Sequence, residues 1–248
     1  MPLISKNRIK YIQSLHKKKY RQRYGQFTVE GLKSVNELIN STYPIVEIFA
    51  SEEVLSQLVI SSDNQILTSV TEEELNKMSY FSTSSPIIAI SGIPDESLST
   101  KSTSPWSIAL DGINDPGNLG TIVRIADWYG ISDIYCSEDS VELYNPKTIA
   151  ATMGSFTRVN VHYVNLETWL KSSDERLYYC LMDGEPLHQV SQIKEGIIVI
   201  GSESHGIRNE LVTIPHQAIT IARIGRAESL NAGIAAGIIC ERLIQPKL

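Results

Sequence analysis

The sequence is ordered by one rhythm. Short runs rich in β-branched and aromatic residues alternate with stretches of helical period, and the alternation breaks once, at a polar gap, before it resumes. Ahead of the gap, residues 26–29, 46–50, 65–70 and 87–91 read as strands, with helical patterns at 31–40, 52–59 and 72–78. The gap, residues 92–105, is GIPDESLSTKSTSP, rich in Ser, Thr and Pro, and reads as a linker. Beyond it, strands are expected at 107–113, 133–137, 159–164, 177–182, 197–202 and 219–224, and helices at 119–129, 146–153, 166–171, 209–212 and 230–244. Runs such as Ile197-Ile198-Val199-Ile200 are too apolar for a strand with one wet face, so a mostly parallel sheet covered on both sides follows. The expected class is α/β, with a small α/β domain over residues 1–91 and a parallel-sheet domain over 106–248.

In an open parallel sheet a ligand sits beyond the C-terminal strand ends, which directs attention to the loops after Ile113, Ile200 and Ile224. The first, DGINDPGNLG, carries Gly117 and Gly120 for tight backbone turns and Asn118 as a helix cap, with Arg124 in the helix that follows. Its glycines miss the G-x-G-x-x-G spacing of a dinucleotide site, and the Lys-Ser/Thr of a P-loop is absent. Arg124 can present a guanidinium fork to an anion held at the loop, or it can pair with Asp127 on its own helix. The second loop places Glu203 between Gly201 and Gly206 at the end of an apolar strand, where a carboxylate must order backbone N–H groups, meet a cation or start a helix. In the third, Ser229 and Asn231 stand as capping residues before a helix studded with Ala232, Gly233, Ala235, Ala236 and Gly237. Those small side chains permit close approach to another backbone, of the same chain or of a second subunit.

Charge is distributed unevenly. The formal net charge is −6, yet residues 1–24 hold eight cations and no acid, among them Lys17, Lys18, Lys19, Arg21 and Arg23. Such a cluster is rewarded by a phosphate backbone through counterion release, although a solvated basic helix face has the same composition. The cysteines, Cys136, Cys180 and Cys240, are few, odd in number and set in apolar stretches, which fits neither a disulfide framework nor a metal site and points to a reducing cytoplasm. No run reaches the roughly 18 apolar residues of a membrane span, so no membrane partner is expected.

Together the three loops resemble the three motifs of the SpoU family of RNA ribose methyltransferases, within the SPOUT class. Asn118, Gly120 and Arg124 are similar to its first motif, Gly201, Glu203 and Gly206 to its second, and Ser229, Leu230 and Asn231 to its third, in order and spacing. Residues 145–161 are similar to the family's Pro-Lys, Met-Gly-Ser and Arg-Val segment, and residues 26–39 to the start of a ribosomal-protein-like RNA-binding domain. The third motif departs from the family in two places. Ile221-Ala222 stands where Ile-Pro is usual, and Ala232-Gly233 where Val-Ser is usual.

The resemblance implies a sheet whose C-terminal part is threaded into a deep trefoil knot, and a homodimer with composite sites. It further implies S-adenosylmethionine as cofactor, held by Gly201, Ser202, Glu203, Gly206, Ile221, Ser229, Leu230 and Asn231. Catalytic roles fall to Arg124, Asn118, Glu203, Ser229 and Asn231, and RNA contacts to Lys17, Lys18, Lys19, Arg21, Arg23 and Arg124. The implied reaction is methylation of a ribose 2′-hydroxyl, in ribosomal rather than transfer RNA because of the N-terminal module. A catalytically silent RNA-binding dimer of the same fold is the alternative that the altered third motif leaves open.

Overall fold

The computed structural model describes residues 4–56, 58, 67–94, 104–191 and 193–244. Most of the expected linker, residues 95–103, lies outside them, as do residues 65 and 66 of the third expected strand. The chain forms two compact units. The first comprises residues 1–99 and 144–157, and the second comprises residues 100–143 and 158–248.

In the first unit, a four-stranded sheet is built from β1 (Gln26–Glu30), β2 (Ile45–Ala50), β3 (Leu67–Ser69) and β4 (Ile87–Gly92), in the order β1-β4-β2-β3. β2 and β3 pair in parallel, while β4 pairs antiparallel with β1 and with β2. The helices around it are α1 (Lys6–Ser14), α2 (Lys18–Tyr24), α3 (Leu32–Ile39), α4 (Glu52–Leu55) and α5 (Glu72–Met78). The start of α5 is set by a capping box, in which Thr71 accepts from Glu74 N and the Glu74 carboxylate accepts from Thr71 N.

The basic segment is not a loose arm. Ile12 and Leu15 are fully buried with Phe49, Leu75, Met78, Ile88 and Ile90, so the segment forms part of this unit's core. Arg21 corrects the expectation placed on it. It is 2% exposed, its Nη1 donates to the Leu15 carbonyl at 2.7 Å, and burial pulls its pKa down to about 10, so it holds α2 in place and does not face RNA. Lys17, Lys18, Lys19 and Arg23 remain exposed.

The expected domain division also needs a correction, because residues 144–157 pack into the first unit. They carry α7 (Pro146–Thr152), whose left-handed cap at Met153 (φ 53°) and Gly154 (φ 99°) turns the chain so that Phe156 meets Phe27 and Tyr43 edge-on, at 5.9 and 5.5 Å. A Cβ on Gly154 would stand 2.5 Å from Glu37 Cγ. The Met-Gly-Ser signature is therefore a turn requirement.

The second unit is a six-stranded sheet, parallel throughout, in the order β10-β8-β9-β5-β6-β7. Its strands are β5 (Trp106–Asp111), β6 (Asp133–Ser137), β7 (Asn160–Val164), β8 (Leu177–Pro186), β9 (Gly196–Gly201) and β10 (Gln217–Thr220). The helices are α6 (Pro116–Trp128), α8 (Leu166–Lys171), α9 (Asn209–Val212) and α10 (Ala232–Leu243). As the apolar runs imply, β5 is buried along its whole length and β9 along all but its last residue.

Three local details differ from expectation. α6 begins three residues early because Asp115, not Asn118, caps it, with Pro116 at its first position. β10 ends at Thr220, which leaves residues 221–230 as a loop. α10 begins at Ala232, where Asn231 accepts from Gly233 N and Ile234 N. No described helix is long and apolar enough to cross a membrane.

Candidate cofactor and catalytic site

β5 and β9 lie side by side and place Asp111 opposite Gly201, so the loops that leave their C-terminal ends start from one point. Gly201 is where the second loop folds back. A bridge pairs Ser202 with Gly206, Gly206 N donates to Ser202 O at 2.9 Å, and Gly206 adopts φ 67°. A Cβ on Gly201 would lie 2.1 Å from the Gly206 carbonyl carbon, a spacing no side chain tolerates, so the first glycine of the motif is a steric necessity.

That turn carries Glu203 to the junction of all three loops. Its Oε1 accepts from Asn118 Nδ2, by a very short contact, and from the backbone N–H of Ala232 at 3.2 Å. Asn118 Oδ1 in turn accepts from Asn231 Nδ2 at 2.7 Å, while Asn231 Oδ1 caps α10. Both carboxamide atoms of Asn118 are used, and its side chain is nearly buried. The carboxylate thus sits at the N-terminus of α10, where the helix dipole and a backbone N–H with no partner inside the helix favour negative charge. Residues 118, 203 and 231 are drawn into one network, which accounts for a carboxylate between two glycines.

Behind the network lies a cavity of about 660 Å³, lined by residues of 180–182, 200–206, 219–230 and the inner face of α10. The β8–β10 pairing creates room for it. Gln217 and Ala218 align with Tyr178 and Tyr179, but Ile219 and Thr220 align with Glu185 and Pro186, so residues 180–184 of β8 leave the ladder. Cys180, Leu181 and Met182, together with Ile200, Ile219, Ile221, Leu230 and Ile239, give mostly apolar walls. Of the residues expected to hold the cofactor, Gly201, Ser202, Glu203, Gly206, Ile221, Ser229 and Leu230 line this space, and Asn231 braces its rim. Ser229 is exposed there.

Arg124 lies apart from the network. It is exposed on α6, and among the described residues it makes no hydrogen bond or ion pair. The pairing with Asp127 considered from sequence does not form, since Asp127 is bound by the guanidinium of Arg158 at 2.8–3.1 Å. α6 and α10 run alongside each other in one direction, through Thr121 against Gly233, Ile125 against Gly237, and Tyr129, whose hydroxyl donates to Glu241 at 2.7 Å. A Cβ at 233 would stand 2.9 Å from Thr121 Cγ2. The unusual Gly233 therefore serves helix packing, and Ala232 alone of the altered pair faces the cavity.

Sequence reasoning missed one brace. Asp111 is 1% exposed at the end of β5; its Oδ1 forms an ion pair with Arg208 Nη2 at 2.5 Å, and its Oδ2 accepts from the backbone N of Arg208 at 2.8 Å. This pairing holds the Arg208 guanidinium above its ordinary pKa and pins the chain just after the glycine turn. The two residues lie 97 positions apart, and no local pattern signals them.

The sequence pattern of the SpoU rRNA methylase family matches residues 105–241, and that of an MRM3-like substrate binding domain matches residues 6–89. The chain is 27% identical over 240 residues to the 23S rRNA (guanosine(2553)-2′-O)-methyltransferase RlmP of Bacillus subtilis, covering 95% of each protein. A solved structure of an rRNA methyltransferase from Sinorhizobium meliloti with bound S-adenosylmethionine superposes with a TM-score of 0.83 at 25% identity, over 98% of this chain and 95% of that one. A Porphyromonas gingivalis protein assigned to the TrmH family of RNA methyltransferases gives 0.83 at 29% identity, over 97% and 98%.

Proposed function

The chain belongs to the SpoU rRNA methylase family, and from that premise we propose that it moves the methyl group of S-adenosylmethionine to a ribose 2′-hydroxyl of ribosomal RNA. The observation that carries the proposal is the network of Asn118, Glu203 and Asn231 at the mouth of the cavity. The cavity suits such a cofactor. Its volume falls within the roughly 300–1,000 Å³ usual for small-molecule sites, and its walls are mostly apolar. S-adenosylmethionine supplies an electrophilic sulfonium methyl.

The protein's own task is to orient a weakly acidic hydroxyl against that methyl and to exclude water. Glu203 and Asn231 hold the two cavity loops to α6 and so fix where the methyl is presented. Arg124 cannot act as a base, because a guanidinium has donors and no acceptor. Exposed and unpaired among the described residues, it is suited to clamp an RNA phosphate beside the attacking ribose and to stabilise negative charge developing on the oxygen. The ribosomal target is supported by the activities of relatives, RlmP among them.

A homodimer is part of the same proposal. Trp128 on α6 is 84% exposed, and Ile234 and Ile238 on α10 are 57% and 40% exposed, an apolar face that a second copy would cover. The expected C-terminal knot belongs to the same proposal. Substitution of Arg124 by Ala tests the clamp. Transfer to RNA should fall by at least about a hundredfold while S-adenosylmethionine affinity, measured by calorimetry, stays unchanged. Near-normal transfer would remove Arg124 from the reaction.

A further inference from the structure

The flank of α2 beside its buried side has a composition that charge alone does not explain. At 100° per residue, buried Arg21 is followed around the helix by Tyr24, Tyr20, Arg23 and Lys19, which sets an aromatic stripe beside a cationic one. The rings of Tyr20 and Tyr24 lie nearly parallel, 14° apart, with centroids at 6.2 Å, and Tyr11 packs against Tyr24 at 5.1 Å with its plane tilted by 57°. Tyr24 is 40% exposed and Tyr20 half-buried. Among the described residues neither hydroxyl has a hydrogen-bond partner, so the rings are not retained as polar anchors. The Arg23 guanidinium stands over the Tyr24 ring, 5.5 Å from its centroid, where it can give way to a base or stack with one, and Lys17, Lys18 and Lys19 are exposed on the same short helix and its cap.

Parallel rings with cations over and beside them suit one kind of occupant, a strand of nucleic acid whose bases are out of their own stack. A duplex offers its phosphates to the lysines but has no free base face for the rings. We infer that Tyr20 and Tyr24 form a stacking platform for unpaired bases of the substrate, so that the first unit selects single-stranded or looped RNA. This rests on the reading of RNA as the substrate. It goes beyond that reading by assigning specificity to two uncharged side chains and by excluding regular duplex as the preferred ligand.

The test uses the full chain and two probes of equal length, a short mixed-sequence single-stranded oligoribonucleotide and an RNA duplex, with affinity followed by fluorescence anisotropy across salt concentrations. The unaltered chain should prefer the single strand. Tyr20→Leu with Tyr24→Leu keeps apolar bulk on the helix, and should weaken single-strand binding by about tenfold or more while leaving duplex binding and both salt slopes as they were. Tyr20→Phe with Tyr24→Phe keeps the rings and should stay within about twofold of the unaltered chain. Equal weakening on both probes, no weakening, or an equal loss in the Phe variant would overturn the platform, as would a preference for duplex or no binding of either probe. Calorimetry with S-adenosylmethionine on the same samples separates this outcome from failure of the methyl-transfer reading, because the cofactor cavity contains none of the substituted residues.

Discussion

Replacing Glu203 by Gln removes a charge from the centre of the site and keeps an oxygen in the same place. The carboxylate accepts two hydrogen bonds, from Asn118 Nδ2 and from Ala232 N. A bond to a charged group contributes about 1.5–3 kcal/mol against about 0.5–1.5 for a neutral one, so the substitution costs about 1 kcal/mol per bond. Loss of negative charge at the start of α10 adds about 0.3–1 kcal/mol. Glu203 is partly open to solvent, which screens the Coulomb share and places the total near 2 kcal/mol or below. If binding of S-adenosylmethionine draws on this ordering, affinity falls by up to about thirtyfold, at tenfold per 1.4 kcal/mol. Isothermal calorimetry measures it, and a double-mutant cycle with Asn118→Ala apportions it. A coupling of about 1 kcal/mol is expected, because the two side chains share one bond. Affinity of Glu203→Gln within twofold of the unaltered chain, or effects additive within about 0.5 kcal/mol, would refute the reasoning.

Gly201→Ala forces a Cβ against the Gly206 backbone, and should cost about 1–3 kcal/mol in urea unfolding together with a loss of cofactor binding of more than about tenfold. The charged double variant Trp128→Glu with Ile234→Glu should elute as a monomer in light-scattering chromatography where the unaltered chain elutes as a dimer; dimers in both would move the interface elsewhere. The His16 pKa is pushed below its ordinary value, first by desolvation, and its ring sits edge-on to Tyr80 at 5.3 Å. A lowered folded-state pKa gives stability that is present above the unfolded value of about 6.5 and lost as pH falls through the folded one. The urea midpoint should therefore drop more between about pH 7.5 and 5.5 for the unaltered chain than for His16→Gln, and equal drops would deny His16 that role.

The element order and the three chemical loops could be read from the sequence because each rests on local physics. Apolar runs bounded by glycine mark strands that end at a ligand, and Asn231 reads as a cap because its side chain needs only the two N–H groups that follow it. What escaped depends on partners distant in the chain. Arg21 looks like its exposed neighbours until the Leu15 carbonyl and the packing of Ile12 are seen. The Asp111–Arg208 brace has no sequence spacing to betray it. Residues 144–157 carry the pattern of the second unit's family yet supply Phe156 to the aromatic cluster of the first. Gly233 departs from the family's third motif, and the reason lies across the chain, in Thr121 on α6. Asp115 rather than Asn118 caps α6, and this frees the Asn118 side chain to join Glu203 to Asn231.

The most direct test incubates the purified chain with methyl-tritiated S-adenosylmethionine and unmodified ribosomal RNA, then digests the RNA to nucleosides. The label should be recovered in a single 2′-O-methylated nucleoside, in a dinucleotide step resistant to alkali, and should disappear with Arg124→Ala. Label on a base, or none with ribosomal RNA despite measurable cofactor binding, would contradict the assignment of this site to ribose methylation.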